Sequence, residues 1–359
     1  MRMGGERVGM DGSMMANVYY GPNDLRFERV PIPKVNPGDL LIKVEFSSVC
    51  ASDVRVFKGE KKANPGTILG HELVGEISEV GEGVKSFFVG ERATVYPVVS
   101  CGSCFYCQKG HQNMCVNRKT FGYDYNGAFA EYVLVPSRLV NFGNVVKIPD
   151  GFPPEEAALT EPLGCSINGV SILNLEIGES LLIIGAGPMG LMLLMVAKCS
   201  GAGKIIVSEI NEDRRRLAKE VGADIVVNPT EENLVERVLS ETDRLGVDAA
   251  ILSIGAPNAA KTALKTLRKE GRINFFAGFP TGTKLTVDPN LIHYGMLHVT
   301  ASQNAPLSVF KRALKMMEER KIDLKPIITD KFLLKDVKFA IEKRIRLEGL
   351  KPIIINSMV

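Results

Sequence analysis

From Ser180 to Ala197 the chain runs 18 residues without a charge, close to the length that spans a bilayer. Its glycines forbid that reading. Gly185, Gly187, Pro188 and Gly190 split the run into a short apolar strand, Leu181–Ile184, a tight turn and a helix. The turn Gly185-Ala186-Gly187-Pro188-Met189-Gly190 is G-x-G-x-x-G, and its place between strand and helix gives weight to a spacing that is common by itself. The first glycine permits the turn, the second lets backbone approach a pyrophosphate, and the third lets helix pack on strand. The helix N-terminus then offers free N–H groups to the phosphates. Glu209 stands 19 residues past Gly190, at the end of the next strand, where a carboxylate accepts ribose hydroxyls and repels a 2′-phosphate. NAD(H) is therefore favoured, while Arg215 and Arg216 keep NADP(H) open.

Apolar runs around this motif alternate with helical stretches. Strands are predicted at 181–184, 204–208, 225–228, 247–252 and 272–276, with helices near 188–200, 212–221, 231–242 and 258–270. Five apolar runs joined by helices make a parallel, doubly wound sheet. The first 150 residues differ: short strands and turns such as Asn36-Pro37-Gly38-Asp39 and Asn126-Gly127 predict a β-rich domain. Pro153-Pro154-Glu155-Glu156 opens a helix. Beyond Leu297 come helices near 306–320 and 335–347 and the run Ile353-Ile354-Ile355; Phe310, Leu314 and Met317 form a core stripe. A length of 359 residues fits two domains, and a net charge of +3 argues against a nucleic-acid or membrane-surface partner. Residues 1–13 carry Glu6, Arg7 and Asp11 and no apolar run, so they read as a loose extension, not a secretory signal, and the expected location is cytoplasmic.

Seven cysteines, an odd number, speak against a disulfide framework. Cys101, Cys104, Cys107 and Cys115 are spaced C-x2-C-x2-C-x7-C, and four thiolates this close can enclose one structural Zn²⁺ with no site left for water. An iron–sulfur cluster is the rival, although the last gap is seven residues and Val116, not Pro, follows. Cys165 and Cys199 read as small core side chains. Cys50, in Val49-Cys50-Ala51-Ser52-Asp53 after the alternating stretch 40–46, is placed in a loop at a strand end, free to bind metal. His71 and Glu72 lie 21 and 22 residues on, and Glu161 is a further carboxylate. Cys, His and carboxylate are the donors of a catalytic zinc, which keeps one position open.

In this order the motifs resemble the zinc-dependent medium-chain dehydrogenase/reductase family, the alcohol dehydrogenase superfamily, most of all its polyol (sorbitol) and threonine branches. The resemblance rests on Cys50-x-Ser52-Asp53, Gly70-His71-Glu72-x-x-Gly75-x5-Gly81, the four-cysteine lobe and Gly185 to Gly190, and covers residues 15–359. It implies an α/β protein: a GroES-like catalytic domain from 1–155 and 295–359, with the zinc lobe at 101–115, and a Rossmann domain at 156–294. It implies that Cys50 and His71 ligate the catalytic zinc with Glu72 or Glu161, that Asp53 orients His71, and that Ser52 takes the substrate proton. Arg214 would lie against adenine, and Phe276, Ala277, Gly278 and Ser302 would meet the nicotinamide. The implied activity is hydride transfer between a secondary alcohol (polyol, sugar or sugar acid) and NAD in a homodimer or homotetramer; the alternatives are a sugar phosphate or a threonine-like amino alcohol.

One position departs from the pattern. Where polyol dehydrogenases usually carry a His five residues after the ligand cysteine, this chain has Arg55, which stays protonated and cannot act as a base. Either protons leave through water or the cofactor ribose, or Arg55 anchors an anionic substrate by bidentate pairing. Other classes explain fewer residues. A nucleic-acid zinc ribbon leaves the dinucleotide motif idle, a zinc-free reductase does not need Cys50, His71 and Glu161, and a non-catalytic relative would lack one of those ligands. Phe121 and Tyr123 are candidate pocket walls or ordinary core aromatics.

Overall fold

The computed structural model describes residues 12–356. It forms two compact units, one of residues up to Glu161 and from Ile328 on, the other Pro162–Ile327. Most of the expected extension at 1–13 lies outside the described residues, and Ser13 already opens the strand Ser13–Gly21.

The first unit is β-rich. Its larger sheet runs in the order Val145–Lys147, Arg92–Val95, Glu72–Val80, Leu40–Ser48, Pro352–Ile355, Asp330–Leu333, and Tyr132–Val135 also pairs with Leu40–Ser48. The alternation in Leu40–Ser48 serves two cores: Leu40, Ile42 and Val44 join one apolar cluster, Leu41 the other. The register at its end positions the site. Ser48 is opposite Glu72 on one side and Ile353 on the other, so Cys50, His71 and Lys351 each lie a residue or two beyond the ladder. Three distant stretches of chain thus arrive together. Cys50 lies just past the strand end, as expected, and caps the helix Ala51–Phe57. The Asp53 carboxylate accepts the Cys50 backbone N–H at 2.8 Å, the reciprocal half of a capping box, which leaves Ser52 and Arg55 on a helical turn.

In the second unit the strands are all parallel in the order Ile225–Val227, Lys204–Ser208, Ser180–Ile184, Val247–Leu252, Leu267–Phe275, His298–Ala301. That is third, second, first, fourth, fifth, sixth in chain order, the Rossmann arrangement. Leu181, Leu182, Ile206, Ala250 and Ile251 are fully buried, because helices cover both faces of such a sheet. Three expectations need correction. The helix predicted to 270 is Pro257–Thr266, and residues from Leu267 on already belong to the fifth strand. Residues 295–327 are expected in the catalytic domain, but His298–Ala301 pairs with Leu267–Phe275 and Phe310 packs against Gly164, so the second unit extends to Ile327 and opens at Pro162, not 156. Cys199 is exposed, since it ends the helix Pro188–Cys199 on the solvent side; Cys165 is half-buried.

Candidate metal centre and dinucleotide site

Cys50, His71 and Glu72 each offer a ligand atom, and these atoms lie within 4.8 Å of one another. Gly70 (φ +92°) makes the approach possible, because a side chain there would strike the Phe129 ring. His71 Nδ1 stands 3.4 Å from Asp53 Oδ1 and 3.0 Å from the Tyr123 hydroxyl, which in turn lies 2.6 Å from Ser52 Oγ and donates to Asp53 Oδ1 at 3.3 Å. Asp53 is buried, which by itself raises a carboxyl pKa; the His71 charge and hydrogen bond and the Cys50 N–H outweigh this and hold it below the usual value. For His71 burial works downward, but Asp53 and Cys50 leave the pKa well above the ordinary one. The centre therefore holds negative charge around an imidazole, the electrostatics that a dication would use.

Glu72 is wholly buried beside Lys351, a lysine equally removed from water. Glu72 Oε1 accepts a hydrogen bond from Lys351 Nζ at 2.7 Å, and Oε2 lies 2.6 Å from the same nitrogen in the ion pair but makes no hydrogen bond of its own. With no hydrogen bond of its own, Oε2 keeps lone pairs that a metal beside Cys50 and His71 would take up in competition with the Lys351 charge. Glu161 is not in the group; it stands in the first turn of the helix Thr160–Ser171, and its charge reaches Tyr123.

The four cysteines converge as their spacing predicts. Their sulfurs lie within 4.8 Å of one another, with Cys101 Sγ to Cys107 Sγ at 3.9 Å. A tetrahedron with Zn–S bonds of ~2.3 Å has edges of roughly 3.8 Å, so one ion fits. Ligands of an iron–sulfur cluster sit on separate irons and stand further apart. N–H groups of Ser103 and Cys104 lower the Cys101 pKa to about 6, whereas burial first raises Cys107 to about 12.

In the second unit the strand ends do the positioning. Gly185 (φ +97°) turns the chain after Ser180–Ile184, Gly187 caps the helix Pro188–Cys199 with Pro188 and Met189 in its first turn, and Gly190 abuts the Gly185 carbonyl. Glu209 follows the second strand. Its Oε2 accepts the Ala186 N–H at 2.7 Å and its Oε1 the Asn211 N–H at 2.9 Å, so the carboxylate braces the glycine turn and keeps further lone pairs for hydroxyls. Arg214 is half-buried at the start of the next helix, and Arg215 donates to the carbonyls of Glu209 and Ile210. Phe276 and Ala277 donate N–H groups to the Leu252 carbonyl, Gly278 approaches Gly255, and Ser302 receives the Asn274 amide at 3.0 Å. All follow the carboxyl ends of parallel strands, where such sheets bind ligands.

Two residues of the metal centre escaped the sequence reading. Tyr123 appeared there only as a candidate wall, beside Phe121, which is core; Lys351 carried no signal at all.

Comparison with known proteins agrees with this geometry. Residues 36–150 match the alcohol dehydrogenase GroES-like domain and 188–319 the zinc-binding dehydrogenase family. The L-threonine 3-dehydrogenase of Pyrococcus furiosus is 40% identical over 309 residues, 84% of this chain and 86% of that protein. The sorbitol dehydrogenase of Bacillus subtilis is 30% identical over 348 residues, covering 94% and 95%. An Escherichia coli alcohol dehydrogenase complexed with NADH superposes with a TM-score of 0.88 at 29% identity, covering 96% of this chain and 99% of that one. With its GroES-like and Rossmann domains, this chain belongs to the zinc-dependent alcohol and polyol dehydrogenases, oxidoreductases acting on CH–OH groups.

Proposed function

We propose that the protein oxidises a secondary alcohol, a polyol, sugar or sugar acid, with NAD as hydride acceptor, at the Cys50–His71 centre. The observation that carries this reading is the Ser52–Tyr123 hydroxyl pair packed against the same His71 that stands in the ligand group. Cys50 and His71, with Glu72 or Glu161, would hold the catalytic zinc, and Cys101, Cys104, Cys107 and Cys115 a structural one. Bound zinc supplies a Lewis acid that lowers the pKa of the substrate hydroxyl, and bound NAD accepts the hydride. Ser52 takes the hydroxyl proton and passes its own to the Tyr123 oxygen as the Tyr123 proton crosses to Asp53 Oδ1, its acceptor at 3.3 Å. Burial first, then Asp53 and Cys50, keep the Tyr123 phenol well above its ordinary pKa, so it gives up a proton only as it receives one. Asp53 orients the His71 ring.

Gly185, Gly187, Pro188, Met189 and Gly190 would hold the pyrophosphate, Glu209 the ribose, Arg214 the adenine, and Phe276, Ala277, Gly278 and Ser302 the nicotinamide. The Glu209 carboxylate favours NAD over NADP. The threonine dehydrogenase relatives favour an amino alcohol as the second reading, with a sugar phosphate third. A homodimer or homotetramer is supported by the exposed edge strand His298–Ala301, flanked by exposed Tyr294 and Met296. Among the described residues no helix is long and apolar enough to cross a membrane, and we place the protein in the cytoplasm. Metal analysis with NAD⁺ reduction over a panel of polyols, sugar acids, sugar phosphates and amino alcohols tests the proposal. Two zincs per chain with turnover are expected; one zinc and no turnover would overturn the catalytic centre.

A further inference from the structure

The segment 55–62 carries Arg55, Lys58, Lys61 and Lys62 against Glu60 alone, 4 − 1 = +3, as much net charge as the whole chain. The turn after the helix Ala51–Phe57 folds this charge back on the site, since the Arg55 carbonyl accepts the N–H groups of Glu60 at 2.8 Å and Lys61 at 3.1 Å. The Lys61 ammonium comes to rest over the Tyr123 ring, 3.5 Å from its centre. It has no carboxylate within 4.0 Å among the described residues. Glu60, the one acid nearby, is held by Lys58 at 2.6 Å and stands a long 4.0 Å from Arg55. Among the described residues the Arg118 guanidinium bonds only the Asn113 carbonyl, at 3.3 Å.

We propose that the substrate is an anionic alcohol whose carboxylate or phosphate docks on Lys61, flanked by Arg55 and Arg118, while its reacting hydroxyl meets Ser52. The Tyr123 ring is the spacer, with the ammonium on its face and Ser52 at its oxygen, so the anionic group lies a few bonds from the reacting carbon. Burial, and then the like charges of Arg118 and Arg55, weaken the hold of Lys61 on its proton against the pull of Cys50 and Asp53. A bound anion relieves that strain, and a neutral polyol does not. Zinc at Cys50 and His71 adds positive charge to the same space and strengthens the preference. This inference rests on the hydride-transfer reading and narrows its substrate class.

The test compares an aldonate, a polyol phosphate and the parent polyol of equal carbon number on the zinc-loaded enzyme and its Lys61→Met and Lys61→Arg variants. The wild type should prefer an anionic substrate in kcat/KM, and Lys61→Met should cut that preference about ten- to hundredfold, chiefly through KM, with partial rescue in Lys61→Arg. The aldonate and phosphate arms separate the two anion types. A preference unchanged by Lys61→Met, or a wild type favouring the neutral polyol, overturns the inference and leaves the dehydrogenase standing. If no alcohol reacts, the hydride-transfer reading has failed. Calorimetric titration with inorganic phosphate then judges the subsite alone: binding weakened in Lys61→Met supports it, and equal or absent binding overturns it.

Discussion

Two glycines of the dinucleotide turn should respond oppositely to the same methyl group. At Gly187 an added Cβ meets nothing within 4 Å, and φ −66° with ψ −178° is backbone that alanine adopts freely. Less unfolded-chain entropy favours the alanine by about 0.4–1 kcal/mol, while alanine is the poorer helix cap by a comparable amount, so the two nearly cancel. Gly187→Ala should therefore leave stability within about 1 kcal/mol of wild type. At Gly190 the Cβ collides with the Gly185 carbonyl and comes within 3.0 Å of Ser253 Oγ. Both are held by the sheet, so the helix must move, at about 1–3 kcal/mol or more. Ligand binding should reverse the order: if the pyrophosphate sits at Gly187 as proposed, the added methyl meets it, and NAD affinity should fall about tenfold or more in a protein that folds normally. Urea unfolding with NADH fluorescence titration separates the effects. A Gly187→Ala protein that binds NADH like wild type refutes the placement of the pyrophosphate. A Gly190→Ala protein of wild-type stability refutes the packing argument.

Lys351→Met strands a buried carboxylate at Glu72 and should cost about 3–5 kcal/mol in chemical denaturation, with Glu72→Gln in the same chain restoring part of it; a loss below about 1 kcal/mol would mean Glu72 is satisfied without the lysine. Tyr123→Phe breaks the link between Ser52 and His71 and should lower kcat about ten- to hundredfold with little change in KM, and a kcat within about twofold of wild type removes Tyr123 from the proton path. Burial works to raise the Asp248 pKa, but the Ser180 hydroxyl and N–H and the Arg268 guanidinium lower it overall. A carboxylate lowered on folding stabilises above its unfolded pKa, about 3.9, and that contribution fades as pH falls through the lower folded value. The stability gap between wild type and Asp248→Asn should be full at pH 7 and shrink below about pH 4; a constant gap would contradict the ionic account.

The glycine turn and the four-cysteine lobe were legible because each is built from neighbours in the chain, so spacing carries geometry. The parallel sheet was legible for a related reason: three of its strands, Ser180–Ile184, Lys204–Ser208 and Val247–Leu252, are apolar and buried on both faces, and burial of that kind writes itself into composition. The sixth strand was not, since His298–Ala301 is an edge whose residues are largely exposed and show no apolar run. Nor was the helix behind Cys50, only seven residues long and set by one carboxylate bonding back to a backbone N–H. The sequence by itself determined the two domains' classes and the family, and it narrowed the metal-binding candidates to the four lobe cysteines and to Cys50, His71, Glu72 and Glu161. Only the tertiary structure decided that Tyr123 stands between Ser52 and His71, that Lys351 faces Glu72 across 279 residues, and that Lys61 lies on the Tyr123 ring. Those contacts depend on strand register and on a turn folding back. Register is fixed by the sum of many cross-strand pairs, so no local pattern announces which side chains it will bring together.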